Sequence, residues 1–418
     1  MIDLGRIAIP FNEKFCSGDV IEGWGYVDLK ECQLRGCKLQ AGSIEYSPAG
    51  FISDVTDLSC PYESLASSNS TLAFKVFKGG ENYWPFVELN ASPAKLLQSH
   101  NIFGSADPEK CLMSLIHAFI TSMPKLAEML DFHHAEIKQL DVTYSAQLES
   151  RAQGRQVILA LKSVSSGQTR NSKSAHATTC YFSTKSDGKA SSRHKKLKIY
   201  LKGYELESQI QEMEKKLKTK KSTVYQRQLD AMRSPEVVSF ADNALRFEAS
   251  ILPRFFKRLG IPTHLGDFLD YCESYNGCIV QNLWKEAFKD VFEALGDKSM
   301  CLFDDEEIFT ALKAKYSTIT KSGKVSYAKA ECAFRLYRQL RLEGWEEVKR
   351  TTSKTSFYRN LKMLTSVVSK AHLQNLHGIG QNVVPMLRVI NVDFSKQHPI
   401  GWQEPKHLCE QVKLKAVS

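Results

Sequence analysis

The stretch Lys196-Leu-Lys-Ile-Tyr-Leu-Lys202 alternates without a break, with Leu197, Ile199 and Leu201 on one side and Lys196, Lys198, Tyr200 and Lys202 on the other. Successive side chains of a strand point to opposite faces, so this run predicts a strand with one apolar face and one face of cations and a phenol. The same period recurs at Phe74-Lys-Val-Phe-Lys78, at Phe86-Val-Glu-Leu-Asn90, at Ile137-Lys-Gln-Leu-Asp-Val-Thr-Tyr144 and at Leu245-Arg-Phe-Glu-Ala-Ser-Ile251. A shorter strand is expected at Thr178–Phe182, inside a polar excursion rich in Ser, Gly, Lys and Thr over residues 164–193.

Between these strands the period changes. Ser92 before Pro93 reads as a helix cap, residues 109–130 read as a helix interrupted at Pro124, and Leu206, Ile210, Met213 and Leu217 form a narrow helical seam. Glu212 with Lys216 and Glu214 with Lys218 are pairs of the kind that support such a helix. Residues 253–300 read as largely helical, and from Met300 onward helical segments are separated by polar turns. The expected architecture is α+β: an antiparallel-sheet domain over residues 1–255, a helical connection over 256–299, and a mainly helical domain over 300–418.

The 418 residues carry a formal net charge of +10, which favours a polyanionic partner, most often nucleic acid. Eleven cysteines without a Cys-x-x-Cys pair argue against a zinc site and for free thiols in a reducing cytoplasm. No apolar run approaches a membrane span, and Met-Ile-Asp-Leu-Gly-Arg is no signal peptide, so a soluble cytoplasmic protein is expected.

Tyr200 is the candidate nucleophile. A phenol with a pKa near ~10 attacks poorly at neutral pH unless cations or a metal lower that value. Lys198 and Lys202 flank it and would hold a scissile phosphodiester, one of them protonating the leaving oxygen. Attack would leave a strand end on the protein and conserve the bond energy for rejoining. The plain alternative is a half-buried strand tyrosine. Arg193, Lys195 and Lys196, just before it, and Arg246 on another strand are candidate DNA contacts.

Three strands carry lone carboxylates among apolar neighbours: Glu88, Asp141 and Glu248; Glu205 follows Tyr200 by five residues. Such acids are costly unless paired or bound to a cation. Glu88 and Asp141, completed by Glu248 or Glu205, are therefore the candidate ligands for Mg²⁺ or Mn²⁺; local ion pairs, such as Glu248 with Arg246, are the alternative. Other nuclease signatures are missing: there is no His-hydrophobic-His pair, no His-x-Lys-x4-Asp and no Walker A lysine.

Near the C-terminus, residues 345–364 have a helix-turn-helix cadence. Val348 would pack the first helix, Ser353 would start the turn, and Phe357, Leu361 and Leu364 would seat a second helix presenting Lys354, Tyr358, Arg359 and Lys362 to a groove.

Many stretches, spread end to end, resemble the gene II replication initiator family of filamentous bacteriophages. They include Met1-Ile-Asp3, Pro61-Tyr-Glu-Ser-Leu65, Ala91-Ser-Pro-Ala-Lys95, His100-Asn-Ile-Phe-Gly104, Gly167-Gln-Thr169, Tyr200-Leu-Lys202, Leu245-Arg-Phe-Glu-Ala249, Val383-Val-Pro385 and Ile390-Asn-Val-Asp-Phe-Ser395. The resemblance implies a rolling-circle initiator of the host bacterial cytoplasm. It would bind a double-stranded origin, nick the plus strand through Tyr200, stay on the 5′ end, and later cut and circularise the displaced single strand. Host polymerase and helicase are the implied partners, and self-association at the origin is left open. Tyr204 and Tyr181 match the family context less well. A shorter product begun at Met300 is also implied, binding DNA without cutting. The competing reading is a non-enzymatic origin- or RNA-binding regulator.

Overall fold

The computed structural model describes the whole chain except residues 68, 164–169, 172–177, 184–192, 296–304, 321–322, 369, 376–389, 391 and 409–418. Met300, Gly167–Thr169, Val383–Pro385 and most of the polar excursion lie outside the described residues. A nine-stranded sheet, antiparallel at every pairing, organises the first part of the chain. Its order is Arg170–Asn171, Thr179–Ser183, Lys195–Leu201, Ala244–Ile251, Glu136–Gln147, Ile2–Pro10, Phe86–Ala91, Thr71–Phe77 and Glu63–Ala66. The fold is α+β, and the strands read from alternation are present in it.

One face of this sheet is the core. Phe74, Val87, Leu89, Ile7, Val142, Phe247, Ala249 and Ile199 are buried there. The helices Pro108–Ser122 and Ile279–Ala294 lie against it, the second bringing Trp284 and Phe288 against Phe247. The segment 256–299, expected as a connection, thus contains a helix that belongs to this core. Pro124 does interrupt the earlier helix, which restarts as Pro124–Ala127.

The helix Lys202–Thr219 begins directly after the Tyr200 strand. Gly203 permits this, because a Cβ there would meet the carbonyl oxygen of Asp242 at 2.9 Å. Along the helix, Glu212 pairs with Lys216 at 2.7 Å, whereas Glu214 takes Arg233 rather than Lys218. Its apolar seam contributes Leu206, Ile210 and Met213 to a small second core with Ile102, Phe103, Met232 and Val237.

A separate helical cluster is built on Ile308, Leu312, Leu336, Tyr337, Leu340, Val348, Phe357, Leu361 and Leu364. The helices Trp345–Thr351 and Lys354–Leu364 realise the helix-turn-helix cadence, with Ser353 at the cap position. The chain then returns to the first domain. Phe394 packs on Tyr144 at 4.9 Å, Gln397 exchanges hydrogen bonds with the Ser145 backbone at 2.8 and 3.0 Å, and His398 stacks on Trp402. The domain expected over 300–418 is therefore a helical cluster plus a strap seated on the sheet domain. Among the described residues no helix is long and apolar enough to cross a membrane.

Candidate active site on the outer face of the sheet

The face opposite the core carries the polar half of each alternating strand. Register fixes who meets whom: Tyr200 stands opposite Arg246 and Lys198 opposite Glu248; on the next strand Thr143 stands opposite Glu248 and Asp141 opposite Ser250. Asp141 and Glu248 are thus diagonal neighbours. One strand further, the register breaks between Ile2 and Leu4, and Asp3, inside the break, reaches the same cluster.

Tyr200 is 2% exposed and its hydroxyl donates to Glu248 Oε2 at 3.0 Å. Lys198 Nζ lies 3.9 Å from the phenol ring centroid and 4.0 Å from Glu248 Oε2, closing the site on its solvent side. Lys202 is fully buried, ion-paired with Glu205, and 5.7 Å from the ring. Beneath them Arg246, 1% exposed, donates to the carbonyl of Asn101 at 2.6 Å and to that of Ile102, with Asp3 Oδ2 at 3.9 Å. Asn101 Nδ2 donates to Asp3 Oδ1 at 2.9 Å and its Oδ1 faces Lys202 Nζ at 3.5 Å.

Burial dominates the electrostatics. It raises the Tyr200 phenol well above its ordinary value, with Glu248 adding to the shift and Arg246 opposing it; the net direction is upward, where the sequence reading expected nearby cations to lower it. Burial, then the Glu248 charge, pushes Asp141 up to about 7. Burial and the Asp3 charge raise Glu248 as well. Burial and Arg246 bring Lys202 down to about 8. At Glu205 burial opposes ionisation, but Lys202 outweighs it and holds the carboxyl below its usual value. His100, beside the cluster, is lowered to about 4 by burial, Lys202 and Arg246.

The structure therefore gathers Tyr200, Lys198, Lys202, Glu205, Arg246, Glu248 and Asp141. It sets Glu88 apart: that carboxylate accepts from the Tyr62 hydroxyl at 2.8 Å and meets Arg6 at 3.7 Å. Glu88 stands opposite Ala8, Asp141 opposite Leu4 on the same strand, a separation of ~13 Å along it. Arg246 is too deep to serve as a surface DNA contact. Lys195 turns to the core side, where it meets Asp290 at 2.9 Å and the Ala287 carbonyl at 2.6 Å. Arg193 and Lys196 are exposed, as are Lys354, Arg359 and Lys362 on the second helix of the helix-turn-helix.

For a divalent cation the donor set is partial. Among the described residues no three His, Cys, Asp or Glu side chains are gathered as a ready cation site. Asp141 and Glu248 nevertheless repel each other across adjacent strands, and a cation between carboxylates would relieve that. Mg²⁺ commonly uses one or two carboxylates and completes its shell with water and substrate phosphate, so this pair fits an open Mg²⁺ site.

Three residues were not singled out from sequence: Asp3, His100 and Asn101. Asp3 is a lone acid in an apolar strand, the same signal that marked Asp141. His100 and Asn101 follow Ser99, whose left-handed φ of 70° turns the chain into the site; nothing in their local sequence marks that turn.

Residues 1–277 match the N-terminal model of the phage replication-associated gene II protein family, and residues 319–408 match its C-terminal counterpart. The chain is 38% identical to the replication-associated protein of Salmonella phage IKe over all of both chains. It is also 38% identical to the proteins of the same name from Enterobacteria phages M13 and f1, over 97% of this chain and 99% of each. No solved structure matches the chain.

Proposed function

The chain belongs to the phage replication-associated gene II protein family, and from that premise we propose that it is a rolling-circle initiator that nicks and rejoins DNA through Tyr200. It acts on a double-stranded origin and on the displaced single strand in the host cytoplasm, where host polymerase and helicase extend and unwind. The observation that carries the reading is the Tyr200–Glu248 hydrogen bond inside a ring of Lys198, Lys202 and Arg246.

In the cutting step the Tyr200 oxygen bonds to phosphorus and the P–O3′ bond breaks. The phenol proton passes to Glu248, whose raised pKa makes its carboxylate a better base. O3′ takes a proton from Lys202, which burial and Arg246 have made a stronger acid than an ordinary lysine. Lys198 leaves the ring for the phosphate and in doing so uncovers the phenol. Joining is the reverse, with a free 3′-hydroxyl as attacker. Mg²⁺, held by Asp141 with water and the substrate phosphate completing its shell, would polarise the phosphoryl oxygens.

The test is to incubate the protein with supercoiled origin plasmid and Mg²⁺, denature, digest, and map the DNA-linked peptide. A linkage on Tyr200 is expected; one on Tyr204 or Tyr181 moves the chemistry, and no linkage with binding intact favours a non-enzymatic regulator.

The exposed cations Lys354, Arg359 and Lys362 are the duplex contacts of this reading. Replacing all three by Ala is expected to weaken origin binding and to flatten the slope of log affinity against log salt by about 0.9 per lost phosphate contact. An unchanged slope would remove this helix from the interface. The shorter product from Met300 would contain this helical cluster, bind DNA and restrain replication, but would lack the sheet on which Phe394 and Gln397 sit.

A further inference from the structure

The outer face of the sheet is covered at its Arg246 end. Around Arg246 and Ser145 it lies under the His100–Ser105 loop, the second small core and the C-terminal strap. At the other end, where Asp57, Leu58 and Ser59 line a recess with Lys75 and Phe77, the outward positions are aromatic. Phe77 and Phe86 stack with centroids 4.5 Å apart, and Tyr83 meets Phe86 edge-on at 6.2 Å. Lys75 Nζ lies 5.1 Å from the Tyr62 ring and 5.1 Å from the Phe77 ring. Tyr62 and Tyr83 are 55% and 42% exposed. A recess of about 510 Å³ adjoins them, lined by Tyr83, Trp84, Phe86, His134 and Lys138 among others.

None of these rings is needed for the core, which the alternate residues Phe74, Val76, Val87 and Leu89 already fill. Register places them on the Tyr200 face: Lys75 stands opposite Glu88, Glu88 opposite Ala8, and Ala8 opposite Glu136 on the strand that also carries Asp141. Five inter-strand steps separate the Lys75 strand from the Tyr200 strand, ~24 Å. Arg6 and Lys138 lie between, each held by one acid, Glu88 and Glu136. Lys75 and Lys196 have no carboxylate partner among the described residues.

Two exposed tyrosines and two half-buried phenylalanines with a cation between them suit a ligand that offers flat apolar faces joined by phosphates. A duplex hides its base faces within the stack, whereas an unpaired strand presents them. We propose that the aromatic end of the outer face is a platform for single-stranded DNA. Bases stack on Tyr62, Tyr83 and the Phe77–Phe86 pair, Lys75 takes a phosphate, and the strand crosses toward Lys196, Lys198 and Tyr200. The direction of that path rests on Tyr200 being the nucleophile; the platform itself does not.

The test uses the full chain and a 5′-fluorescein oligonucleotide, single-stranded or annealed to its complement, read by anisotropy. Tyr62→Ala with Tyr83→Ala is expected to weaken single-strand binding about tenfold or more, as loss of base–ring stacking does, and to leave duplex binding unchanged. Tyr62→Phe with Tyr83→Phe keeps both rings and is expected to retain wild-type affinity, which separates stacking from loss of the Tyr62–Glu88 hydrogen bond. Wild-type single-strand affinity in the alanine protein, or an equal loss on both DNAs, would overturn the platform. The peptide-mapping assay is independent: a normal Tyr200 linkage with unmoved affinity removes the platform alone, and an affinity loss without any linkage removes the Tyr200 chemistry alone.

Discussion

Tyr200→Phe is expected to abolish the covalent DNA adduct, lowering cleavage by at least ~10⁴-fold, as removal of a catalytic nucleophile does elsewhere. DNA binding should survive, because the ring that packs against Lys198 is kept and Arg246 remains anchored to Asn101 and Ile102. The variant loses one hydrogen bond, that to Glu248, whose carboxylate keeps Lys198 at 4.0 Å. Tyr204 is a poor substitute nucleophile, since its hydroxyl is held by Arg155 at 3.1 Å and its ring lies under Arg151. Adduct formation by the Phe protein at more than a trace would refute the assignment. Loss of both adduct and binding would instead mean that the hydroxyl holds the site together.

What the sequence made legible follows from periodicity. The Lys195–Leu201 strand alternates from Lys196 onward and the Ala244–Ile251 strand from Leu245, so their pairing could be read as a polar face and an apolar face before any contact was known. The helix-turn-helix was legible because Val348, Phe357, Leu361 and Leu364 fall at helical spacing. Depth was not legible. Tyr200 and Arg246 sit on a face that alternation marks as solvent-facing, and they are buried by segments far away in the chain. Asn101, which caps Arg246, is 145 positions distant, and Gln397, which seals Ser145, is 252. The strap has no period of its own, so no local pattern could announce that it returns to the sheet. The carboxylate cluster was half legible for the same reason: lone acids on strands are visible, but which of them converge depends on sheet order. Glu88 and Asp141 lie on strands separated by the Ile2–Pro10 strand and offset along it.

Asp141→Asn is expected to make the protein more stable and less active at once. In the folded chain burial and Glu248 push Asp141 up to about 7 from an ordinary 3.8. A carboxyl whose folded pKa is raised favours the fold below its unfolded pKa, and that support is lost as pH rises from about 4 through about 7. At pH 8 the ionised acid therefore opposes folding by on the order of 2–4 kcal/mol, from three units at ~1.4 kcal/mol each, discounted for relaxation. Asparagine removes the charge and can still accept the hydrogen bond that Gln139 donates at 2.8 Å. Urea unfolding should thus show the variant ahead of wild type at pH 8 and level with it at pH 4. His100, lowered to about 4, loses stability in the opposite direction as pH falls below 6.5, but it is common to both proteins and subtracts out. Mg²⁺ sharpens the comparison: at pH 8 it should raise the melting temperature of wild type and not that of the variant. Cleavage by the variant should fall ~10²-fold or more, the scale of losing charge stabilisation at a transferring phosphate. A variant less stable than wild type at pH 8 would mean that Asp141 is satisfied by its neighbours in the resting protein. A variant with full cleavage would remove Asp141 from the chemistry altogether.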